Sequence, residues 1–279
     1  MSGDNSDLTM DSDAREIAIS CPGDNHELAE FRDAVKMLHE RKGRHERLIK
    51  LSHEITIECK KVKVLFHSPT TMDSSDNTVT EMQEIVQKLM DGPIKRMGLE
   101  LEECCPEEFH GDAVTAGFQE YAQARIMLSL MTDMIIISYP ELQKELEYNI
   151  IDNDYERLLV TQIPESDYML GLADITGELM KKVIDSISTG DTEECFVASR
   201  VLVELCSWYL NEAGDDSHLL DRKLPEIRAN MDKVEQALYG LCVRDGELPP
   251  RLELARTLSE LGNWEDSLQS DNDEGYDYY

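Results

Sequence analysis

No two of the seven cysteines form a C-x-x-C pair, and only Cys104 and Cys105 are close together. A zinc knuckle is therefore not expected, and the thiols read as reduced, as in a cytosolic or nuclear protein. Basic residues are scarce: 27 Lys and Arg stand against 58 Asp and Glu, a formal charge of −31. A free-standing nucleic-acid binder needs the opposite balance, because phosphate is held by Lys and Arg. No apolar run reaches the roughly 18 uncharged residues of a membrane span. The longest, Ile126 to Tyr139, is interrupted by Asp133. The start, MSGDNSDLTMDSDAREIA, has neither the basic cluster nor the apolar stretch of a secretory signal. Neither G-x-S-x-G nor a P-loop occurs. No internal repeat is seen, and no alternating strand with a hairpin turn is read.

What is present is helical periodicity, which predicts an all-α domain over residues 26–262 between a disordered acidic arm, 1–25, and a disordered acidic tail, 263–279. The first helix is expected from about His26 to His67. Its apolar residues, Leu28, Phe31, Val35, Leu38, Leu48, Leu51, Ile55, Cys59, Val62 and Phe66, fall mostly three or four apart, and Ser68-Pro69 ends it. A helix of this length measures roughly 60 Å, against a radius of gyration near 18 Å for a compact domain of about 240 residues. Partner chains are therefore expected to cover part of its apolar stripe. Further helices are expected over 79–91, 106–138, 140–159, 166–188, 192–212, 217–242 and 249–261, with a loop at 70–78. Pro225 marks a break near the start of the helix assigned to 217–242.

Charge is uneven along the chain. Residues 32–63 hold ten Lys and Arg against five acids, a local excess of +5. Arg41, Lys42, Arg44, Arg47 and Lys50 form the densest part and read either as a face for RNA or an acidic partner, or as a solvated helix surface. Two apolar segments carry embedded acids. In AVTAGFQEYAQARIMLSLMTDMIIIS, residues 113–138, Glu120 and Gln123 are three apart. In YMLGLADITGELM, residues 168–180, Asp174 and Glu178 are four apart. Each pair shares a helix face. Carboxylates buried on apolar helices need a counter-charge or a metal. If the two helices pack side by side, three carboxylates and an amide oxygen converge, a donor set suited to Mg²⁺ or Mn²⁺. The alternative is pairing with bases, for which Arg125, Lys181 and Lys182 are candidates.

The same segments resemble the translin family, on its associated-factor branch. The residues that carry the resemblance are DYMLGLADITGELMKKVIDSISTGD at 167–191, GFQEYAQA at 117–124, HERLIKLSHEITIECKK at 45–61 and KVEQALYGLCVRDGELP at 233–249. The resemblance implies a translin-like bundle of about seven helices with a long first helix. It also implies a hetero-oligomer with translin that encloses single-stranded RNA, with single-stranded DNA as a further ligand and no membrane partner. It implies a Mg²⁺-dependent endoribonuclease acting on passenger-strand fragments and precursor tRNA fragments, in the cytoplasm and nucleus. Carried over position by position, the family's acids fall on Glu120, Asp174 and Glu178, and its remaining Glu falls on Gln123. An amide offers one neutral oxygen where a carboxylate offers an anion. Two functions therefore stand open: a catalytic subunit, or a non-catalytic partner that stabilises translin and shapes an RNA-binding shell.

Overall fold

The computed structural model describes residues 26–68, 75–102, 112–152, 155–212 and 221–245. The expected arm, the tail, the helix at 249–261 and most of the 70–78 loop lie outside the described residues. The chain divides into two compact units, Met1–Lys50 and Leu51–Tyr279. The described part of the first unit is the opening stretch of α1 (His26–Phe66). Phe31, Val35 and Leu38 fall at helical spacing there and are exposed.

In the second unit, Leu51, Ile55, Cys59, Val62 and Phe66 form the buried stripe of α1, at steps of four, four, three and four. α2 (Ser75–Leu89) and α3 (Lys95–Glu102) come next, joined by a π-helical segment, Met90–Ile94. Sequence reading ends a helix at Asp91-Gly92-Pro93. The chain instead continues as helix through Pro93, because the wider π turn relieves the clash and the lost N–H that proline imposes on an α-helix.

α4 (Asp112–Thr132) is buried nearly all round, from Val114 and Phe118 through Leu130. It stops earlier than the expected 138, and Met134 takes a left-handed conformation, with φ of 56°. α5 (Tyr139–Glu145) is a single short helix, opened by a capping box between Ser138 and Glu141.

The helix expected over 140–159 is corrected: beyond α5 the chain turns to strand. β1 (Glu147–Asp152) and β2 (Tyr155–Val160) form an antiparallel hairpin in which Glu147 pairs with Val160 and Asp152 with Tyr155. Adjacent β-branched Ile150 and Ile151 are compatible with strand. Tertiary anchoring completes the choice. Tyr148 and Leu159, opposite each other in register, are buried, and the Tyr148 hydroxyl donates to the Met90 carbonyl at 2.9 Å. Arg157 makes two bonds, of 2.9 and 2.7 Å, to Glu102 of α3.

α6 (Glu165–Thr189), α7 (Thr192–Glu212) and α8 (Leu224–Asp245) complete the bundle, and α6 packs against α4, α7 and α8. Gly190, with φ of 81°, ends α6 in the left-handed region where glycine carries no side-chain penalty. Pro225 stands in the first turn of α8, so that helix starts later than the expected 217. Among the described residues no helix is long and apolar enough to cross a membrane.

Candidate carboxylate site

α4 and α6 meet at Gly171. A Cβ there would lie 2.8 Å from the Gln119 carbonyl oxygen and 3.3 Å from the Gln123 nitrogen. This crossing sets the stretch that carries Glu120 and Gln123 beside the stretch that carries Asp174 and Glu178. α1 is held to the same place by Ser52, whose hydroxyl accepts the Gly117 N–H at 3.0 Å.

Each acid has a basic partner. Lys63 Nζ lies 2.8 Å from Glu120 Oε2. That oxygen is buried and has no well-formed hydrogen bond. The contact is thus an ion pair more than a directed bond. Just past the end of α1, His67 Nε2 is 2.8 Å from Glu178 Oε2, and Lys181 donates to the other oxygen of Glu178 at 3.0 Å. Asp174 is engaged elsewhere: Lys223, just before α8, donates to it at 2.6 Å. Gln123 is the most enclosed of the four positions, at 2% exposure.

Of the bases proposed from sequence, Arg125 makes a two-pronged pair with Glu145, at 2.8 and 2.7 Å. Lys182 reaches Glu194 of α7 at 2.6 Å and donates to the Phe66 carbonyl at 3.0 Å. Sequence reasoning misses Lys63, His67 and Lys223. A usable signal exists for two of them: Lys63 and His67 continue, at four-residue steps, the row Ile55 and Cys59 of the buried stripe.

As arranged, these side chains do not fit a divalent ion. An Mg²⁺ site needs carboxylate oxygens free to face the ion at about 2.1 Å, with water completing the octahedron. Here Gln123 is neutral, Glu120 faces Lys63 of α1, Glu178 faces His67 just beyond it, and Asp174 faces Lys223. Among the described residues no three His, Cys, Asp or Glu side chains stand close enough to share one ion.

The His67 bond, aided by Lys181 and opposed by burial, lowers the Glu178 carboxyl from 4.5 to about 2. A folded-state pKa below the unfolded one stabilises the native form above the unfolded value and is lost as pH falls towards the folded one. Glu178→Gln is expected to cost about 2 kcal/mol at pH 7, after allowance for solvent screening. In thermal melts, the gap between wild type and variant should narrow from about pH 4.5 downward and close near pH 2. A gap constant over that range would rule out the ion pair as its cause.

The five basic residues lie within the first unit, on α1. Arg41, Lys42, Arg47 and Lys50 are exposed and Arg44 is half-buried. Arg41, Arg44, Arg47 and Lys50, at three-residue steps, trace a stripe that drifts roughly 60° per step around the helix. Lys42 stands off it.

The bundle, its long first helix and the placement of these motifs define a translin-type helical protein. The model of the Translin family matches residues 43–245, and the chain belongs to that family. It is similar to translin-associated protein X of Pongo abelii, at 31% identity with 80% of each chain covered. It is also similar to the rat protein of the same name, at 29% identity with 85% of this chain and 87% of that one covered. Among solved structures it resembles apo-NeC3PO, with a TM-score of 0.56 at 17% identity, covering 77% of this chain and 97% of that one. It also resembles AfC3PO in complex with duplex RNA, with a TM-score of 0.52 at 16% identity, covering 77% and 97%. At those identities the structural likeness bears on the fold.

Proposed function

We propose that this chain is the associated-factor-type subunit of a hetero-oligomer formed with a translin, and that the assembly binds RNA. The observation that carries this reading is on α1, where exposed Phe31, Val35 and Leu38 precede the basic stripe on one helix of an otherwise acidic protein. The apolar residues suit contact with other chains, and the bases suit a phosphate backbone. The RNA complex of AfC3PO, a fold relative, supports the same reading. Single-stranded RNA is the proposed ligand, in the cytoplasm and nucleus, with single-stranded DNA as a further one.

The test is RNA binding by the co-purified assembly across a salt series. Replacing Arg41, Arg44 and Arg47 together with Glu should weaken binding by at least about tenfold at low salt. It should also flatten the plot of log affinity against log salt by about 2, at roughly 0.7 per lost contact. An unchanged slope would make the segment a solvated helix face.

A second reading is the Mg²⁺-dependent endoribonuclease acting on passenger-strand and precursor tRNA fragments. It is favoured by Glu120, Asp174 and Glu178 falling on the family's acidic positions, and weakened by Gln123 and by the bases that hold all three acids. Mg²⁺-dependent cleavage of a short single-stranded RNA by the assembly, lost in Asp174→Asn, would establish it. No cleavage would leave the non-catalytic partner.

A further inference from the structure

We propose that Lys63 is a resident cation that makes the α1–α4–α6 junction independent of metal, its ammonium standing at the carboxylates where a divalent ion would otherwise be needed. Three observations converge on it. Glu120 Oε2 is buried without a hydrogen bond, so the Lys63 ammonium at 2.8 Å is what offsets its charge. Gln123, one turn along α4 and 2% exposed, adds no negative charge for an ion to neutralise. The remaining acids are separately matched, Glu178 by His67 and Lys181 and Asp174 by Lys223.

The pairing makes the consequence concrete. Glu120 is met by Lys63, Asp174 by Lys223, which Glu226 shares, and Glu178 by Lys181 and by His67, which Asp185 also faces. A divalent ion entering this set would meet a lysine at each of the three acids. Lys63 is the one it would have to displace to reach Glu120. Its side chain is 23% exposed and comes from a helix whose Cys59, Val62 and Phe66 are buried along the same stretch, so release would cost the packing of its stem as well as the ion pair. The junction is then a structural joint that fastens the end of α1 to α4 and α6, and it does so whether or not the assembly binds RNA.

The test is thermal melting of the full-length chain, in the assembly in which it purifies, with Mg²⁺ or Mn²⁺ added at constant ionic strength. The wild-type Tm should stay within about 1 °C up to about 10 mM ion, because a ligand stabilises only where it binds the native state. Lys63→Arg should behave the same. Lys63→Met should melt lower and recover part of the loss on adding Mg²⁺. Lys63→Met with Gln123→Glu should show the largest ion-dependent rise, roughly 4 °C or more. A wild-type Tm that climbs by several degrees with Mg²⁺ would overturn the proposal, since an ion would then enter with Lys63 in place. A Tm insensitive to ions in every variant would also overturn it, because Lys63 would not be occupying a cation's place. If the double variant does not fold, the wild type and Lys63→Met decide between these outcomes.

Discussion

Produced without a partner, this chain is expected to run as aggregate or as a broad range of oligomers, whereas co-expression with a translin should yield one soluble, large species. The reason lies in the opening stretch of α1. Phe31 is 60% exposed, Val35 42% and Leu38 64%, at steps of four and three, and Met37 beside them is 70% exposed. An apolar row of this kind on a charged helix is the pattern of a surface that another helix covers. Left in water it associates without a fixed geometry. The closed symmetry of an oligomer gives it a single partner and a defined size. Light scattering on the two preparations distinguishes these states directly. Phe31→Ser with Leu38→Ser should raise the solubility of the lone chain while abolishing the large species on co-expression. A well-behaved, thermally stable monomer from the unmodified chain would sink the idea. So would full assembly by the double variant.

Much of the bundle is legible from punctuation in the chain. α7 spans the expected 192–212, and α6 exceeds the expected 166–188 by one residue at each end. Pro164 before α6 and left-handed Gly190 after it act locally, and a sequence displays local signals in full. The hairpin and α3 are hidden for a different reason. Ile150, Ile151, Leu158 and Leu159 suit a short helix as well as a strand until Tyr148 finds the Met90 carbonyl and Arg157 finds Glu102, both more than 50 residues away in the chain. The candidate site divides in the same way. Acids at steps of three and four on apolar helices are visible in sequence, as is Gln123. Their counter-charges are only partly so: Lys181 and the row that Lys63 and His67 continue can be read, but the choice between metal and base is made across long separations, 111 residues for His67 with Glu178 and 49 for Lys223 with Asp174. Periodicity says that the acids need compensation and is silent on which group supplies it.

Gly171→Val is expected to abolish folding, and Gly171→Ala to destabilise by about 1–2 kcal/mol, despite the gain of up to about 1 kcal/mol that alanine brings to a helix interior. A Cβ on Gly171 would stand 2.8 Å from the Gln119 carbonyl oxygen, 3.1 Å from Ala122 Cβ and 3.3 Å from the Gln123 nitrogen. Two of these three neighbours are backbone atoms of α4, so no rotamer change relieves the contact and the two helices must separate. Packed interiors absorb such a shift poorly. The control lies two turns along the same helix. A Cβ at Gly177 meets only Asn230 Nδ2, at an ordinary 3.6 Å, so Gly177→Ala should be neutral or stabilising by up to about 1 kcal/mol. Denaturant titration of the two alanine variants tests the crossing itself, because helix propensity is common to both and cancels. Equal effects would mean that α4 and α6 do not approach as closely as the geometry requires. Unequal effects in the stated direction would tie the position of Glu120 and Gln123, relative to Asp174 and Glu178, to the missing side chain of one residue.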